Sequence, residues 1–259
     1  LTGTRPPAVG AAGLLMLADG RFPAGGHAHS GGLEAAVAAG RVRDTDGLEA
    51  FLRGRLATTG ATTAAFAAAA CAAFDDGTAA DGRGTAADGS GTAGGGDGTA
   101  ADGRGRLGAL DGEFEARTPS PALRATSRRL GRQMLRAARS VRPHPGLDAL
   151  AGALPGGWHQ PVALGAAARA LGLGPGEAAS AALHDAATGP ATAAVRLLGL
   201  DPFAVHAVLA GLVPELDRLA VRAAGEADTP AARLPSYGAP LLDIAAELHA
   251  TWEVRLFAS

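Results

Sequence analysis

DGLEAFLRGRLATTGATTAAFAAAACAAF, residues 46–74, decides the fold class. Asp46 and Glu49 have capping-box spacing ahead of Phe51, Leu52 and Leu56, so the stretch opens a helix that reaches about Phe74. Alanine supplies much of the 47% hydrophobic content, aromatics are 4%, and Ile244 is the sole isoleucine. Strand formers are therefore scarce, and an all-α fold is expected. At 259 residues the chain has room for one sizeable domain of about eight to ten helices. The apolar run 61–74 falls short of the roughly 20 residues a membrane-spanning helix needs. Its one cysteine, Cys71, excludes a disulfide framework or a multi-cysteine metal site within one chain and suits a reducing cytoplasm.

Net charge of −2 and a pI near 6.4 give no global sign of nucleic-acid or membrane affinity. All 23 basic residues are arginine, which fits a GC-rich coding bias and weakens arginine identity as a clue. The N-terminus lacks a basic segment followed by a strong apolar core, so no signal peptide is expected.

Outward from the opening stretch, composition breaks at residues 75–106, where GTAADGRG occurs at 77–84 and 98–105 and GTAADGSG at 84–91. These repeats hold no large apolar side chain to offset ordering entropy, so the segment is read as a flexible Gly/Ala/Asp-rich insertion. Residues 1–74 and 107–259 then form one helical domain. Pro161, Pro175, Pro190 and Pro202 are each placed at a helix start, and Pro214 is expected to kink or split its helix. In the final segment Leu241, Ile244, Leu248 and Trp252 form one stripe of an amphipathic C-terminal helix.

The stretch FPAGGHAHSGGLEAAV, residues 22–37, looks like a site. Gly25, Gly26, Gly31 and Gly32 give the backbone unusual freedom around His27 and His29, and Ser30 is placed as N-cap of a helix through Leu33, Glu34 and Val37 that Gly40 ends. His27 and His29 suit a divalent metal such as nickel or zinc, yet two ligands do not make a stable site, and polar loop histidines remain the plainer reading. Residues 116–147 carry eight arginines and no acid, with Arg124, Arg128, Arg132 and Arg136 on one helical face. That face suits a solvated or internally paired surface, an acidic protein partner, or nucleic acid. For internal pairing Glu34, Asp44 and Glu215 are the candidate acids. A nucleophile elbow, a Walker lysine and a convincing carboxylate pair are all missing, so enzyme chemistry is not expected.

Four stretches carry a resemblance: LLMLADGRFPAGGHAHSGGLEAAV (14–37), ALRATSRRLGRQMLRAA (122–138), HQPVALGAAARALGL (159–173) and PLLDIAAELHATWEVRLFAS (240–259). Together they resemble the urease accessory protein UreF family, the first and last most specifically. His27 and His29 stand where the family often has aromatics, and Trp252 and Val254 where its tail often has tyrosine. The resemblance implies an all-helical, non-enzymatic chaperone that dimerises, binds UreD (also called UreH) and recruits the GTPase UreG. The assembly would deliver nickel to apo-urease, with GTP hydrolysis by UreG and no tightly bound cofactor in this chain. It implies partner-binding or nickel-path roles for Gly25, Gly26, Ser30, Glu34, Asp243, His249 and Arg255, with His27 and His29 as transient metal contacts. Membrane and nucleic acid are not expected partners; an arginine-rich helical nucleic-acid-binding regulator is the alternative.

Overall fold

A computed structural model describes residues 11–25, 29–74 and 97–257. In chain order the elements are α1 (Ala11–Ala18), α2 (Leu33–Ala38), α3 (Thr45–Arg55), a π segment (Leu56–Gly60), α4 (Ala61–Ala73), α5 (Asp97–Ala116), α6 (Pro121–Val141), α7 (Pro145–Ala153), α8 (Gln160–Ala170), α9 (Pro175–Leu198), α10 (Pro202–Gly225), a short 3-10 turn (Ala231–Arg233) and α11 (Pro240–Ala250). Helix α3, the π segment and α4 are continuous, which makes ten helices and no extended strand among the described residues. The expected all-α class is borne out.

Helix α4 is the centre. It is apolar all round and buries Ala64, Ala65, Phe66, Ala67, Ala68, Ala69, Ala70, Cys71 and Ala73, as a helix without a polar face must. Helices α5, α8, α9 and α10 surround it. Alanine side chains let the neighbours come very close. A Cβ added to Gly165 of α8 would lie 2.4 Å from the Ala67 carbonyl oxygen and 2.7 Å from the Ala70 Cβ. By length and composition Thr45–Ala73 also qualifies as a membrane span, but 72% of its apolar window is buried against the other helices. It is a core helix.

Several local expectations shift for physical reasons. The N-cap of α3 is Asp44, whose carboxylate accepts the Gly47 N–H at 2.8 Å. Asp46 lies inside the first turn, and Glu49 pairs with Arg53 instead of closing a capping box. Pro161, Pro175 and Pro202 do sit in first turns, as do Pro121, Pro145 and Pro240. Pro190 does not: it lies inside the 24-residue α9, where it leaves the Ala186 carbonyl without a helical donor. The Arg55 Nε–H takes that carbonyl at 3.2 Å, so the helix continues. Helix α10 likewise runs through Pro214 without splitting.

Residues 75–96 of the insertion lie outside the described residues. Its upper end does not remain irregular, because α5 begins at Asp97 and is anchored beyond it by buried Leu107, Leu110 and Phe114. Phe114 meets the fully buried Phe66 edge-on at 5.3 Å between ring centroids. Helix α11 is shorter than expected, and its Leu241, Ile244 and Leu248 face outward at 64%, 58% and 60% exposure. The buried face carries Ala245, Ala246 and His249.

Gly165→Val should destabilise the fold by about 1–3 kcal/mol or more, since the close helix contact has no space for a side chain. Urea denaturation measures this, and a loss below about 0.5 kcal/mol, the ordinary range for surface changes, would contradict the packing argument.

Candidate functional site

The site is built where the N-terminal loop, the π segment, α9 and α11 converge. Gly31 and Gly32 turn the chain into α2 with φ of 59° and 91°, a region that disfavours side chains. Space is tight as well: a Cβ on Gly31 would stand 3.0 Å from the Pro190 ring, and one on Gly32 3.0 Å from the Leu242 side chain. Gly32 is therefore the N-cap of α2, in place of Ser30. Ser30, buried, still helps the helix start, its hydroxyl accepting the Glu34 N–H at 3.3 Å. At the other end Gly40 takes the left-handed C′ position, with the Arg41 N–H bonded to the Ala36 carbonyl, as expected.

Glu34 is the hub. Buried at 7% exposure, its carboxylate accepts the Leu256 N–H at 2.8 Å, the Phe257 N–H at 3.0 Å and His249 Nε2 at 2.9 Å. Burial pushes its pKa up, but the Leu256, His249 and Phe257 donors together outweigh that and hold it below the usual carboxylate value. The helix after the glycine loop is thus tied to both α11 and the C-terminal tail. A second tie joins α11 to the start of α6: Glu247 accepts from the Ser120 hydroxyl and from the Ala122 N–H at 2.9 Å. Asp243 lies beside the Ser120 N–H, and burial raises its pKa.

Between these ties is a cavity of about 210 Å³, lined in part by His29, Ser30, Arg55, Asp185, Asp243 and His249. Arg55 frames it, donating from Nη1 to the Gly31 carbonyl at 2.9 Å and from Nε to the Ala186 carbonyl freed by Pro190. Its desolvation lowers its pKa, partly offset by the field of Asp185. The π segment forms one wall. Such segments re-aim side chains and are frequent at functional sites. Here the wall carries Thr59, whose hydroxyl is buried with no hydrogen-bond partner.

The geometry thus brings Ser30, Glu34, Asp243 and His249 into one seam, with Glu34 and His249 bonded to each other. Gly25 lies elsewhere, at φ 81° against Gln133 of α6. Arg255 is exposed on the tail, and Gly26 and His27 fall outside the described residues. Among the described residues no group of three or more His, Cys, Asp or Glu is placed to hold a metal. Arg55 and Glu247 were not legible as site residues, because the Ala186 carbonyl that Arg55 takes lies 131 positions away and the Ser120 hydroxyl on Glu247 127 positions away. The mid-helix Pro190, with its lost donor, was the one local signal.

The arginines of α6 divide. Arg124 and Arg128 turn inward to α5, Arg124 to Glu115 at 3.1 Å and Arg128 to Asp111 at 3.1 Å and Glu115 at 2.5 Å. Their partners are α5 acids rather than Glu34, Asp44 or Glu215. Arg129, Arg132, Arg136 and Arg139 form the outward row, where Asp148 pairs with Arg139. His159 completes the inner cluster: it is fully buried, with Nε2 2.7 Å from Glu115 and its backbone N–H donated to Asp111 at 2.7 Å. Its Nδ1 has no partner, so a proton there would be a buried unsatisfied donor, and burial lowers its pKa. Glu115 is pushed up by burial and pulled further down by His159 and Arg128.

Comparison with known proteins decides the family. The UreF family model matches residues 42–213. The chain belongs to the UreF family. Urease accessory protein UreF of Mycolicibacterium vanbaalenii is 42% identical over 246 residues, covering 95% of this chain and 97% of that protein. The same-named proteins of Mycobacterium marinum and Mycobacterium tuberculosis are 41% and 38% identical, each over 95% of this chain and 97% of the relative. Urease accessory proteins are maturation chaperones rather than enzymes, and this UreF-family chain is one of them. Its seam is accordingly a device for holding the N-terminal loop, α11 and the tail in register.

Glu34→Gln should cost about 1–3 kcal/mol, the penalty for disturbing a buried acceptor of several donors. Hydrogen exchange should show the Leu256 and Phe257 amides losing protection before the core does; unchanged protection there would refute the hub. A pH series gives a second check. With His159 depressed when folded, the unfolded chain takes up the proton first as pH falls below about 6.5, so stability declines there. Glu34 and Glu115, also depressed, lose their contribution below about 4.5. His159→Gln should flatten the upper limb of the urea-midpoint profile and leave the lower limb.

Proposed function

We propose that this chain is the scaffold of a cytoplasmic urease-maturation complex, linking UreD (UreH) to the GTPase UreG for GTP-dependent nickel insertion into apo-urease, and that it acts there as a homodimer. The observation that carries the proposal is the relationship to urease accessory proteins across 95% of the chain. The exposed side of α11 supports it. Leu241, Ile244 and Leu248 face outward, next to exposed Val254 and Leu256 on a tail that Glu34 holds in place. An apolar helix stripe presented this way fits helix-in-groove recognition by a protein partner. Arg255 stands between two of those tail residues and is assigned to the UreD contact.

His27 and His29 are proposed as transient contacts for nickel as cargo, since a weakly held ion is easily passed on. The inward pairing of Arg124 and Arg128 removes two of the four arginines on which the nucleic-acid alternative rested.

Co-expression with UreD, UreG and apo-urease of the same source tests the proposal. The chain should co-purify with UreD and raise urease activation; failure in both overturns it. Arg255→Ala should reduce co-purification with UreD while leaving the thermal midpoint unchanged, and normal co-purification would remove Arg255 from the interface. Replacing His27 and His29 with alanine should slow activation without preventing assembly, and unchanged kinetics would take both off the nickel path.

A further inference from the structure

Helix α6 presents arginines on two sides, and carboxylates meet only one of them in full. On the inner side Arg124 and Arg128, four residues apart, take Asp111 and Glu115, four residues apart on α5. A four-residue repeat turns by about 40° per step in a 3.6-residue helix, so Arg132 and Arg136 come round to solvent. Arg129 and Arg139 join them there on one face about 15 Å long. Asp148, in the first turn of α7, holds Arg139 at 2.5 Å. Arg129, Arg132 and Arg136 are exposed and meet no carboxylate among the described residues. Like charges three and four residues apart repel, so the free chain keeps this row at a cost.

The middle arginine of the row is already positioned. Arg132 donates from Nη1 to the Gly156 carbonyl at 2.6 Å, and its stem lies on Gly157, where an added Cβ would stand 2.4 Å from Arg132 Cγ. The Gly157 carbonyl takes Arg128 at 2.5 Å, so one short loop supports an inner and an outer guanidinium together. The Arg132 Nε and Nη2 groups donate to no described residue. A guanidinium fixed in this way loses little further freedom when it binds. Nucleic acid suits the face less well than protein does. The chain carries a net charge of −2, the guanidinia stand in single file, and the exposed aromatic residues Phe203 and Tyr237 both lie outside α6, where they cannot stack on bases beside it.

We propose that the outer face of α6 docks an acidic helix of a partner protein, its carboxylates three and four residues apart and set against Arg129, Arg132 and Arg136. The occupant is read from the chain itself: the same arginine spacing takes a helix with acids at i, i+4 on the inner side, and helix-borne Asp148 fills the Arg139 end of the outer row. Exposed ion pairs each contribute little to affinity, so the face acts mainly on the rate and orientation of association. The proposal rests on α6 alone and does not depend on the urease-maturation reading.

The test is fluorescence anisotropy with the purified full chain at low ionic strength, so its result is separable from that of the co-purification experiment. The probe is a labelled alanine-based peptide of about 16 residues, long enough to be helical, with glutamates at i, i+3, i+7 and i+10. A peptide of the same charge broken by proline and a short DNA duplex are the comparisons. Saturable binding is expected, tighter for the helical peptide than for the broken one and weakening as salt rises. Replacing Arg129, Arg132 and Arg136 together with glutamine should weaken it by about 10-fold or more, and Arg136→Gln alone by about two- to fivefold, the scale of one exposed ion pair. Arg41→Gln with Arg43→Gln, on the exposed loop between α2 and α3, should change it by less than about twofold. If the triple variant fails to fold, Arg136→Gln decides, because that exposed side chain bonds to no described residue. Absence of saturable binding, an equal loss in the Arg41 and Arg43 variant, no preference for the helical peptide, or tighter binding of the duplex would overturn the proposal.

Discussion

The contact of α4 with α8 is the constraint on which the rest of the structure depends. With alanine on nearly every face of α4, there is little side-chain bulk to fill the space between helices, and close-packed density is reached only by bringing backbones together. Gly165 is the point of closest approach, where a single methyl would meet the Ala67 carbonyl. Gly131 repeats the device at the junction of α6 with the Trp158–His159 loop, where an added Cβ would fall 1.9 Å from the Trp158 oxygen. A core of this kind is intolerant of added volume. It gives the surrounding helices nearly fixed positions, on which the site can be assembled from distant parts of the chain.

What is attached to that core is held differently. Helix α11 buries two alanines and a histidine rather than its large apolar residues, so hydrophobic burial contributes little to its docking. Carboxylates take over: Glu247 at the start of α6, and Glu34 on His249 and the tail amides. These are directional bonds, and they orient α11 so that Leu241, Ile244 and Leu248 remain outside. A surface that conventional amphipathic folding would have hidden is thereby available to a partner. The same economy of means appears at Arg55, which substitutes for the helical donor lost at Pro190 and at the same time fixes the Gly31 turn.

Much of this was visible beforehand, for identifiable reasons. The helix over residues 46–74, the helices begun by Pro161, Pro175 and Pro202, and the Gly40 terminator follow from local stereochemistry, which a sequence carries in full. The errors are equally physical. Ser30 looked like an N-cap because its side chain can cap, but steric closeness of Leu242 and Pro190 put the turn at Gly31 and Gly32. The stripe of Leu241, Ile244 and Leu248 has the expected period and faces outward, a facing that could not be read beforehand because periodicity reveals that an apolar face exists and not what lies against it. Helical spacing grouped Arg124, Arg128, Arg132 and Arg136, but the acids of α5 that take Arg124 and Arg128 inward and divide the group could not be assigned from spacing.

The sequence by itself determined the helical class, most helix starts and the membership of the UreF family, since these rest on residue type and short-range spacing. Only the tertiary structure decided which faces are covered and that Glu34 meets a tail 222 residues further on. Such meetings depend on the close approach of alanine-rich helices far apart in the chain. Packing of that kind is a property of the assembled backbones, and no single stretch of residues specifies it.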